Sequence, residues 1–129
     1  MQDAASIIAR ALYVRVDFVK PVDRVDQAEA IHADVDRSMA SHEVCRVLFD
    51  YRGLGSELDT IRDAMWRWAE RTQLEAVGVI VDGELARVRL NMTALSKRVP
   101  LRAFDREADA VTWLTDPEQR RPTRELKRG

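Results

Sequence analysis

The hydrophobic and polar positions of this chain follow two different periods. In residues 12–18 every second residue is apolar, and the face so formed consists of Leu12, Val14, Val16 and Phe18. This period of two predicts a half-buried strand, and residues 6–10 before it predict either a short extra strand or a lead-in. From about Val25 to Ser41 the apolar positions recur at every third or fourth residue, which predicts an amphipathic helix that buries Ala28, Ile31, Val35 and Met39.

Two further segments, residues 44–49 and 76–81, are nearly continuous apolar runs. Such runs are typical of strands that are covered on both faces, as in an α/β sheet. Between them, Ser56 and Asp59 have the spacing of a capping box, so a helix is predicted from Ser56 to about Thr72. Its expected buried stripe consists of Leu58, Ile61, Met65, Trp68 and Ala69.

The segment 84–99 fits two patterns. The Asp82-Gly83 pair before it is a strong hairpin signal, after which alternate apolar residues would form a returning strand. A helix explains more of the segment, with Pro100 as its end and an apolar stripe of Leu85, Val88, Met92, Leu95 and Val99. Residues 101–104 then predict a short strand, and residues 105–115 predict a last helix that buries Ala110, Trp113 and Leu114. Four successive strand-helix units predict an α/β fold with a mainly parallel sheet.

Composition and charge indicate one globular domain followed by a basic tail. The chain has 129 residues, of which 46% are hydrophobic and 33% are charged. A chain of this length buries roughly two thirds of its unfolded surface without a disulfide or metal, so a disordered or repeat protein is not expected. Residues 117–129 contain five basic and two acidic residues, whereas residues 1–116 contain 16 basic and 20 acidic ones. The predicted domain therefore spans residues 1–116, and residues 117–129 are interpreted as a flexible, solubilising tail.

The same composition narrows the range of functions. The longest apolar run, Ala76 to Val81, has six residues, whereas a bilayer span needs about 20, so no transmembrane segment is expected. The single cysteine, Cys45, has no internal disulfide partner, and the first residues lack the features of a signal peptide, so a cytoplasmic location is expected. A net charge of −1 argues against general attraction to nucleic acid, and no specific nucleic-acid partner is expected.

Three segments carry a resemblance to a known family. They are the strand of residues 47–53, which ends in Asp50-x-Arg52-Gly53, the strand of residues 76–81, and the closing strand and helix of residues 99–114. Together they resemble the SpoIIAA-like group of STAS and SEC14-type small domains, over about residues 12–114. The resemblance implies a four- to five-stranded, mainly parallel sheet with about four helices largely on one face. It also implies non-enzymatic roles, either regulation through protein partners or binding of small lipophilic molecules and peripheral membrane contact.

The turn that contains Gly53, Gly55 and Ser56 is the first candidate site. In the anti-sigma-factor antagonists of the resembling family, a phosphorylatable serine in an Asp-Ser-Ser/Thr-Gly setting begins a helix after a central strand. Ser56 stands at such a helix start but has different neighbours, so we interpret it as a plain N-cap rather than a phosphoswitch. The turn also lacks the third glycine of a dinucleotide-binding loop and the Gly-Lys-Ser/Thr of a P-loop. An anion-binding turn, in a nucleotide- or phosphate-binding module or a small enzyme, is kept as the alternative function.

Other residues that could carry chemistry have structural explanations. His32 and Asp36 share a helix face, but no third ligand has a recognisable spacing, so we prefer a solvated acidic face and expect no metal or cofactor. His42 lies near a predicted helix end, where a cation is favourable. Cys45 alternates with buried strand positions and is interpreted as a small hydrophobe. No nucleophile, base and orienting group occur together, so we expect a protein that is not an enzyme.

Tryptophan and methionine residues form the second candidate site. Trp66 is displaced by about 100° to 120° from the buried stripe of its helix, since each residue turns an α-helix by about 100°. It is therefore expected at the boundary of the core or exposed, where it would close the core edge, contact a protein partner or join two copies in a homodimer. Met65, Met92 and Trp68 are expected in one layer, where they would form an ordinary core or line an apolar pocket. We therefore expect a binding or regulatory domain that engages a protein partner, a membrane surface or a small lipophilic ligand.

Overall fold

The structure is a computed structural model that describes residues 2–54 and 58–120. Along these residues the elements are β1 (Ala5–Ala9), β2 (Val14–Phe18), α1 (Val25–His42), β3 (Arg46–Asp50), α2 (Leu58–Arg71), β4 (Ala76–Ile80), α3 (Glu84–Lys97), β5 (Leu101–Phe104), α4 (Glu107–Thr115) and a 3₁₀ turn (Pro117–Arg120). The predicted strands and helices are thus confirmed to within a few residues. Several predicted features lie outside the described residues. They are Gly55, the helix start at Ser56, the side chain of Leu58 and residues 121–129 of the expected tail.

The five strands lie in the sheet in their order along the chain. β1 pairs antiparallel with β2 at one edge, and β2, β3, β4 and β5 run parallel to one another. The register places Val47 beside both Val14 and Val77, so β-branched side chains adjoin on the same face. The segment 6–10, which could be a strand or a lead-in, contributes to the edge strand β1. The expected mainly parallel sheet is therefore confirmed, with five strands.

The helices divide unequally between the two faces of the sheet. α1, α2 and α3 cover the face that presents Val16 and Phe49. α4 covers the other face, where Leu48 packs with Ala110 and Leu114. Right-handed crossovers that each advance by one strand in the same direction place their helices on one face, which explains the layer formed by α1 to α3. The expectation of helices largely on one face is confirmed.

α1 and α2 bury the stripes that their periodicity predicts. The buried residues of α1 include Ala28, Ile31, Val35 and Met39. Those of α2 include Ile61, Met65, Trp68 and Ala69. A hydrogen bond from Trp68 Nε1 to Asp36 Oδ1, 2.7 Å long, joins the two helices near the surface.

α3 has the predicted helical form but not the predicted orientation. The segment after Gly83 is a helix, not a returning strand, and it buries Leu90 and Ala94. The residues expected to face the core are exposed instead, Leu85 by 63%, Val88 by 39%, Met92 by 65% and Leu95 by 81%. That prediction is wrong because the helix has apolar residues on both sides, and the side with the short Ala94 packs against the sheet. Of the predicted stripe, Val99 alone is buried, and it follows the helix.

At both edges of the sheet, a carboxamide side chain forms hydrogen bonds with the backbone of the edge strand. At β5, Asn91 Oδ1 accepts the Ala103 N–H at 2.7 Å and Asn91 Nδ2 donates to the Ala103 carbonyl at 3.3 Å. At β1, Gln2 Oε1 accepts the Ala5 N–H at 3.1 Å and Gln2 Nε2 donates to the Ala5 carbonyl at 3.3 Å. Each carboxamide binds one residue of an edge strand as a neighbouring strand would. We call these two pairs of hydrogen bonds the edge clips.

Candidate functional site

α3 presents an apolar stripe to the outside of the molecule. Its members, which we call the α3 stripe, are Leu85, Val88, Met92 and Leu95. Their spacings of three, four and three residues align them along one side of the helix. Single exposed apolar side chains are ordinary on protein surfaces, but four that adjoin on one helix form a continuous patch. Such a patch is typical of a surface that binds another apolar surface.

A groove of about 370 Å³ runs between α2 and α3 beside the α3 stripe. Its lining consists of Arg62, Trp66, Arg89, Leu90, Met92 and Thr93. The indole and the Leu90 side chain provide apolar contact, and the two guanidinium groups provide positive charge. Arginine binds carboxylate and phosphate groups through several donors and also packs on apolar surfaces. The groove can therefore accommodate a group that is both apolar and anionic.

The structure joins two of the three residues predicted to form a partner or ligand surface. Trp66 and Met92 both line the groove, whereas Met65 is fully buried in the core. Only 7% of Trp66 is exposed, contrary to the expectation that it lies at the boundary or outside, because α3 covers that side of α2. Met65, Trp68 and Met92 do not share a layer, since Met92 lies on the outer side of α3.

Basic side chains accompany the α3 stripe. α3 contains Arg87, Arg89 and Lys97 but only one acidic residue, Glu84. Lys97 Nζ lies 3.2 Å from a carboxylate oxygen of Glu70 on α2, while Arg89 lines the groove. α3 itself therefore has a net charge of +2, whereas the whole chain has a net charge of −1. Glu84 pairs with Arg87 on α3, and Asp59 pairs with Arg62 on α2. Arg62 and Arg89 were not identified from the sequence, because their meeting depends on how α2 and α3 pack.

The turn after β3 is held by a hydrogen bond to Asp82, which lies just after the end of β4. Gly53 has a φ of 82°, a left-handed conformation that favours glycine. Its N–H donates to Asp82 Oδ2 at 2.8 Å. This N–H is therefore bound to a carboxylate rather than directed at an anion. Gly55 and Ser56, the other two residues of the predicted anion-binding turn, lie outside the described residues.

An ion-pair network that was not predicted from the sequence joins α4 to the sheet. Arg15 lies 3.1 Å from Asp17, 3.2 Å from Asp50 and 2.8 Å from Glu107, and Arg52 lies 2.8 Å from Asp50. The hydrogen bond with Asp17 raises the pKa of Arg15, although burial acts against it. Burial alone would raise the pKa of Asp50. Hydrogen bonds from Arg52 and the positive charges of Arg52 and Arg15 have a larger, opposite effect, so the pKa of Asp50 lies below its usual value. Each of the two arginines contacts at least two of the three carboxylates, so the charged groups are engaged with one another and we assign the network a structural role.

His32 lies in the core, not on the solvated helix face that the sequence predicted. It is 2% exposed, stacks on Trp68 with ring centroids 5.1 Å apart, and meets Phe49 edge-on at 5.8 Å. Burial lowers the pKa of His32 to about 4, and two nearby arginines add to the effect. Asp36 accepts a hydrogen bond from Trp68 instead of pairing with His32 as a metal ligand.

The remaining candidate residues lie at the surface. Cys45 is exposed, contrary to the expectation of a small buried hydrophobe, because it precedes the first residue of β3. His42 ends α1 as predicted, with Nδ1 2.9 Å from the Ser38 carbonyl oxygen. Within residues 2–54 and 58–120, no three His, Cys, Asp or Glu side chains are grouped to hold a metal ion. No helix in the same part of the chain is long and apolar enough to cross a membrane.

Comparison with known proteins identifies the fold. No family model and no curated protein matches the chain. Among solved structures, the chain is similar to the crystal structure of an uncharacterized protein from the DUF3478 family with a SpoIIAA-like fold, from Shewanella loihica PV-4. The two are 17% identical, with a TM-score of 0.59 over 86% of this chain and 92% of the other. The mixed five-stranded sheet with its four helices is therefore a SpoIIAA-like fold, which confirms the resemblance found in the sequence.

Proposed function

We propose that this chain is a non-enzymatic, SpoIIAA-like binding domain that docks on an anionic membrane surface through α3. The observation that carries the proposal is the α3 stripe, in which Leu85, Met92 and Leu95 are each more than 60% exposed. Leaving three large apolar side chains in water is unfavourable, and burying them in the boundary region of a bilayer removes that cost. An amphipathic helix that lies in the plane of a membrane surface uses its apolar side in this way.

The charges around the stripe favour an anionic surface over a neutral one. Arg87, Arg89 and Lys97 belong to the same helix as the stripe, and Arg62 lies across the groove. Each basic residue near a negatively charged membrane surface contributes about 1 kcal/mol of attraction. The long stems of arginine and lysine also allow the charge to reach lipid headgroups while the helix axis lies deeper. The groove beside Trp66 then provides room for a headgroup or part of an acyl chain.

Co-sedimentation with lipid vesicles tests this proposal. The wild-type chain is mixed with vesicles of phosphatidylcholine alone and with vesicles of phosphatidylcholine and phosphatidylglycerol. We expect binding to the anionic vesicles that weakens with added salt, because exposed charges are screened. The double variant Leu85→Ser/Leu95→Ser should bind at least about tenfold more weakly, since it removes two apolar side chains from the contact.

Val19→Ser is the matched control. Val19 is 61% exposed and follows β2, away from α3, so this variant should bind as the wild type does. Absence of binding to both kinds of vesicle would contradict the proposal. Equal binding by the wild type and the Leu85→Ser/Leu95→Ser variant would show that another surface contacts the lipid.

A further inference from the structure

β1 is an edge strand whose backbone groups alternate between two directions. The Val19 N–H donates to the Ala4 carbonyl and the Arg10 N–H donates to the Tyr13 carbonyl, both at 2.8 Å. In an antiparallel pair, successive residues of a strand direct their N–H and C=O groups to opposite sides. Residues 6, 8 and 10 therefore bond to β2 and the chain beside it, and residues 5, 7 and 9 direct their backbone groups away from the sheet. At residue 4 only the carbonyl follows this pattern, because the Ala4 N–H donates to Gln2 Oε1 at 3.0 Å.

One of these three outward positions is occupied. The edge clip of Gln2 binds both backbone groups of Ala5. Within the described residues, the outward N–H and C=O groups of Ile7 and Ala9 have no partner in the structure. Two adjacent outward residues with free backbone groups form a short template for another strand. At the opposite edge, the clip of Asn91 occupies Ala103, one of the two outward residues of the four-residue strand β5.

We propose that β1 pairs with β1 of a second copy of this chain, antiparallel and about a two-fold axis at Ile8. In this register Ile7 lies opposite Ala9 of the partner subunit, and Ala9 lies opposite Ile7 of the partner subunit. Both pairs are of the hydrogen-bonded kind, so the four free N–H groups of the two strands all find carbonyl acceptors. The Gln2 clips stay in place, because Ala5 lies beyond the two pairs. The result is one continuous sheet formed by two chains.

The exposed side chain at the centre of β1 fits this arrangement. Ile8 is 44% exposed on the face of the sheet that α4 covers only in part. At the two-fold axis it lies beside Ile8 of the partner subunit in a pair of the non-hydrogen-bonded kind, in which the side chains approach most closely. Pairing therefore buries an apolar side chain that the single chain exposes to water.

α1 presents a complementary flank above the free edge of β1. A groove of about 600 Å³ lies there, and its lining consists of Gln2, Ala30, Ala33, Asp34 and Arg37. Because α1 packs over β1 and β2, pairing of the two β1 strands brings α1 beside its counterpart, and helices pack about 8–10 Å apart. Small residues such as Ala30 and Ala33 permit this approach. Asp34 and Arg37 form an ion pair with each other on this flank. A two-fold axis beside the flank would bring a second such pair next to the first, so that each charge also has an opposite charge on the partner subunit.

Light scattering coupled to gel filtration, over a range of protein concentrations, tests the pairing. We expect the wild-type chain of 14.8 kDa to show twice that mass at the higher concentrations. Ile7→Pro removes one outward N–H without removing a hydrogen bond to β2, so it should weaken the dimer at least tenfold while the monomer stays folded. Ile7→Val keeps the N–H and nearly the same side chain, and this control should dimerise as the wild type does.

A charge variant keeps the proposal testable if Ile7→Pro fails to fold. Arg37→Asp, on the exposed flank of α1, should also weaken the dimer. Asp34→Arg/Arg37→Asp exchanges the two charges, and it should restore the dimer because the two-fold relation is preserved. A wild-type chain that stays monomeric at every concentration would overturn the proposal. A dimer that withstands both Ile7→Pro and Arg37→Asp, in folded protein, would overturn it equally.

Discussion

At the scale of single residues, His32 combines an ionisable ring with an apolar environment. It lies between Trp68 and Phe49, and its Nδ1 atom is buried without a hydrogen-bond partner among the described residues. A protonated imidazole there would lose its hydration without gaining a counter-charge. The neutral ring, in contrast, stacks on the indole at no such cost. The folded chain therefore holds His32 uncharged at neutral pH.

This environment predicts a dependence of stability on pH. The pKa of His32 falls from 6.5 to about 4 on folding, so between these values the unfolded chain binds a proton that the folded chain does not. The contribution to the free energy of unfolding is complete above pH 6.5 and is lost as the pH falls toward 4. The loss amounts to about 3 kcal/mol, at 1.36 kcal/mol for each unit of pKa. Urea denaturation at several pH values measures it.

His32→Phe is the control for this prediction. Phenylalanine keeps an aromatic ring between Trp68 and Phe49 but has no group that titrates. Acidic residues elsewhere lower the stability of both proteins in the same way, so the difference between the two curves isolates His32. We expect the variant to lose less stability than the wild type between pH 7 and pH 4. Parallel curves would refute the assignment.

The residues that the sequence places wrongly share one physical reason. The hydrophobic periodicity of a segment shows on which side of its helix or strand a residue lies. It does not show whether another element packs against that side. His32 lies next to the α1 stripe and is buried because Trp68 of α2 packs on it. Trp66 lies beside the α2 stripe and is buried because α3 adjoins it. Cys45 continues the alternating pattern of β3, but β3 begins at Arg46, so Cys45 lies before the strand and is exposed.

At the scale of elements, the edge clip of Asn91 connects α3 to the edge of the sheet. Its carboxamide binds both backbone groups of Ala103, a residue that is 1% exposed. α3 itself buries only Leu90 and Ala94, whereas α1 buries five residues. The clip therefore adds two hydrogen bonds to the small apolar contact of α3 with the sheet. It also prevents β5 from pairing with another strand.

Removal of this clip should destabilise the protein. Asn91→Ala leaves the N–H and C=O groups of Ala103 without partners, which should lower the free energy of unfolding by roughly 1–3 kcal/mol. Asn91→Asp keeps an acceptor for the N–H and loses the donor to the carbonyl, so an intermediate loss is expected. Chemical denaturation measures both variants. Wild-type stability in Asn91→Ala would show that water replaces the clip without cost.

The sequence predicts the existence of α3 but not which side it buries. The spacing of Leu85, Val88, Met92 and Leu95 is that of a core-facing stripe, and it forms the outer surface. Leu90 and Ala94 form a shorter apolar stripe on the opposite side of the helix, and these two side chains face the sheet. A helix with two apolar sides has two orientations of similar local preference, and the packing against β5 selects one. For the same reason the groove between α2 and α3 could not be predicted from either helix alone.

At the scale of the whole molecule, the far face of the sheet depends on a close approach between β4 and α4. Gly78 is the centre of β4, and a Cβ atom there would lie 3.1 Å from Leu114 Cδ1 and 3.3 Å from Leu48 Cδ1. These distances are shorter than carbon atoms adopt at optimal contact. Glycine therefore lets α4 pack directly on the sheet at this point.

Gly78→Ala should accordingly cost roughly 1–3 kcal/mol of stability through overpacking. Leu114→Val removes a methylene group from the side chain that the new Cβ would approach. We expect Gly78→Ala to cost less in the Leu114→Val background than in the wild type, because neighbouring changes are not additive. Denaturation of the four proteins in this cycle measures the coupling. Additive effects would show that α4 shifts freely to accept the extra methyl group.

The overall architecture was predictable because it follows from the order of elements. Alternating strands and helices give parallel pairing, and short connections give neighbouring strands. The position of α4 on the far face was not predictable from that order, since no strand follows it among the described residues to form a crossover. The Arg15 network and the packing at Gly78 both depend on that placement. These features therefore became visible only in three dimensions.

The order of strands in the sheet also bears on how fast the chain can fold. Strands that adjoin in space also adjoin in sequence, as β2 and β3 do when Val14 pairs with Val47. Each parallel pairing then closes a loop of only one helix and its connections, so the loss of chain entropy at each step is small. A chain with such near-neighbour pairing reaches its folding transition state sooner than one whose central strands are distant in sequence. During synthesis, β1, β2 and β3 can assemble with α1 before the residues of β5 have been made.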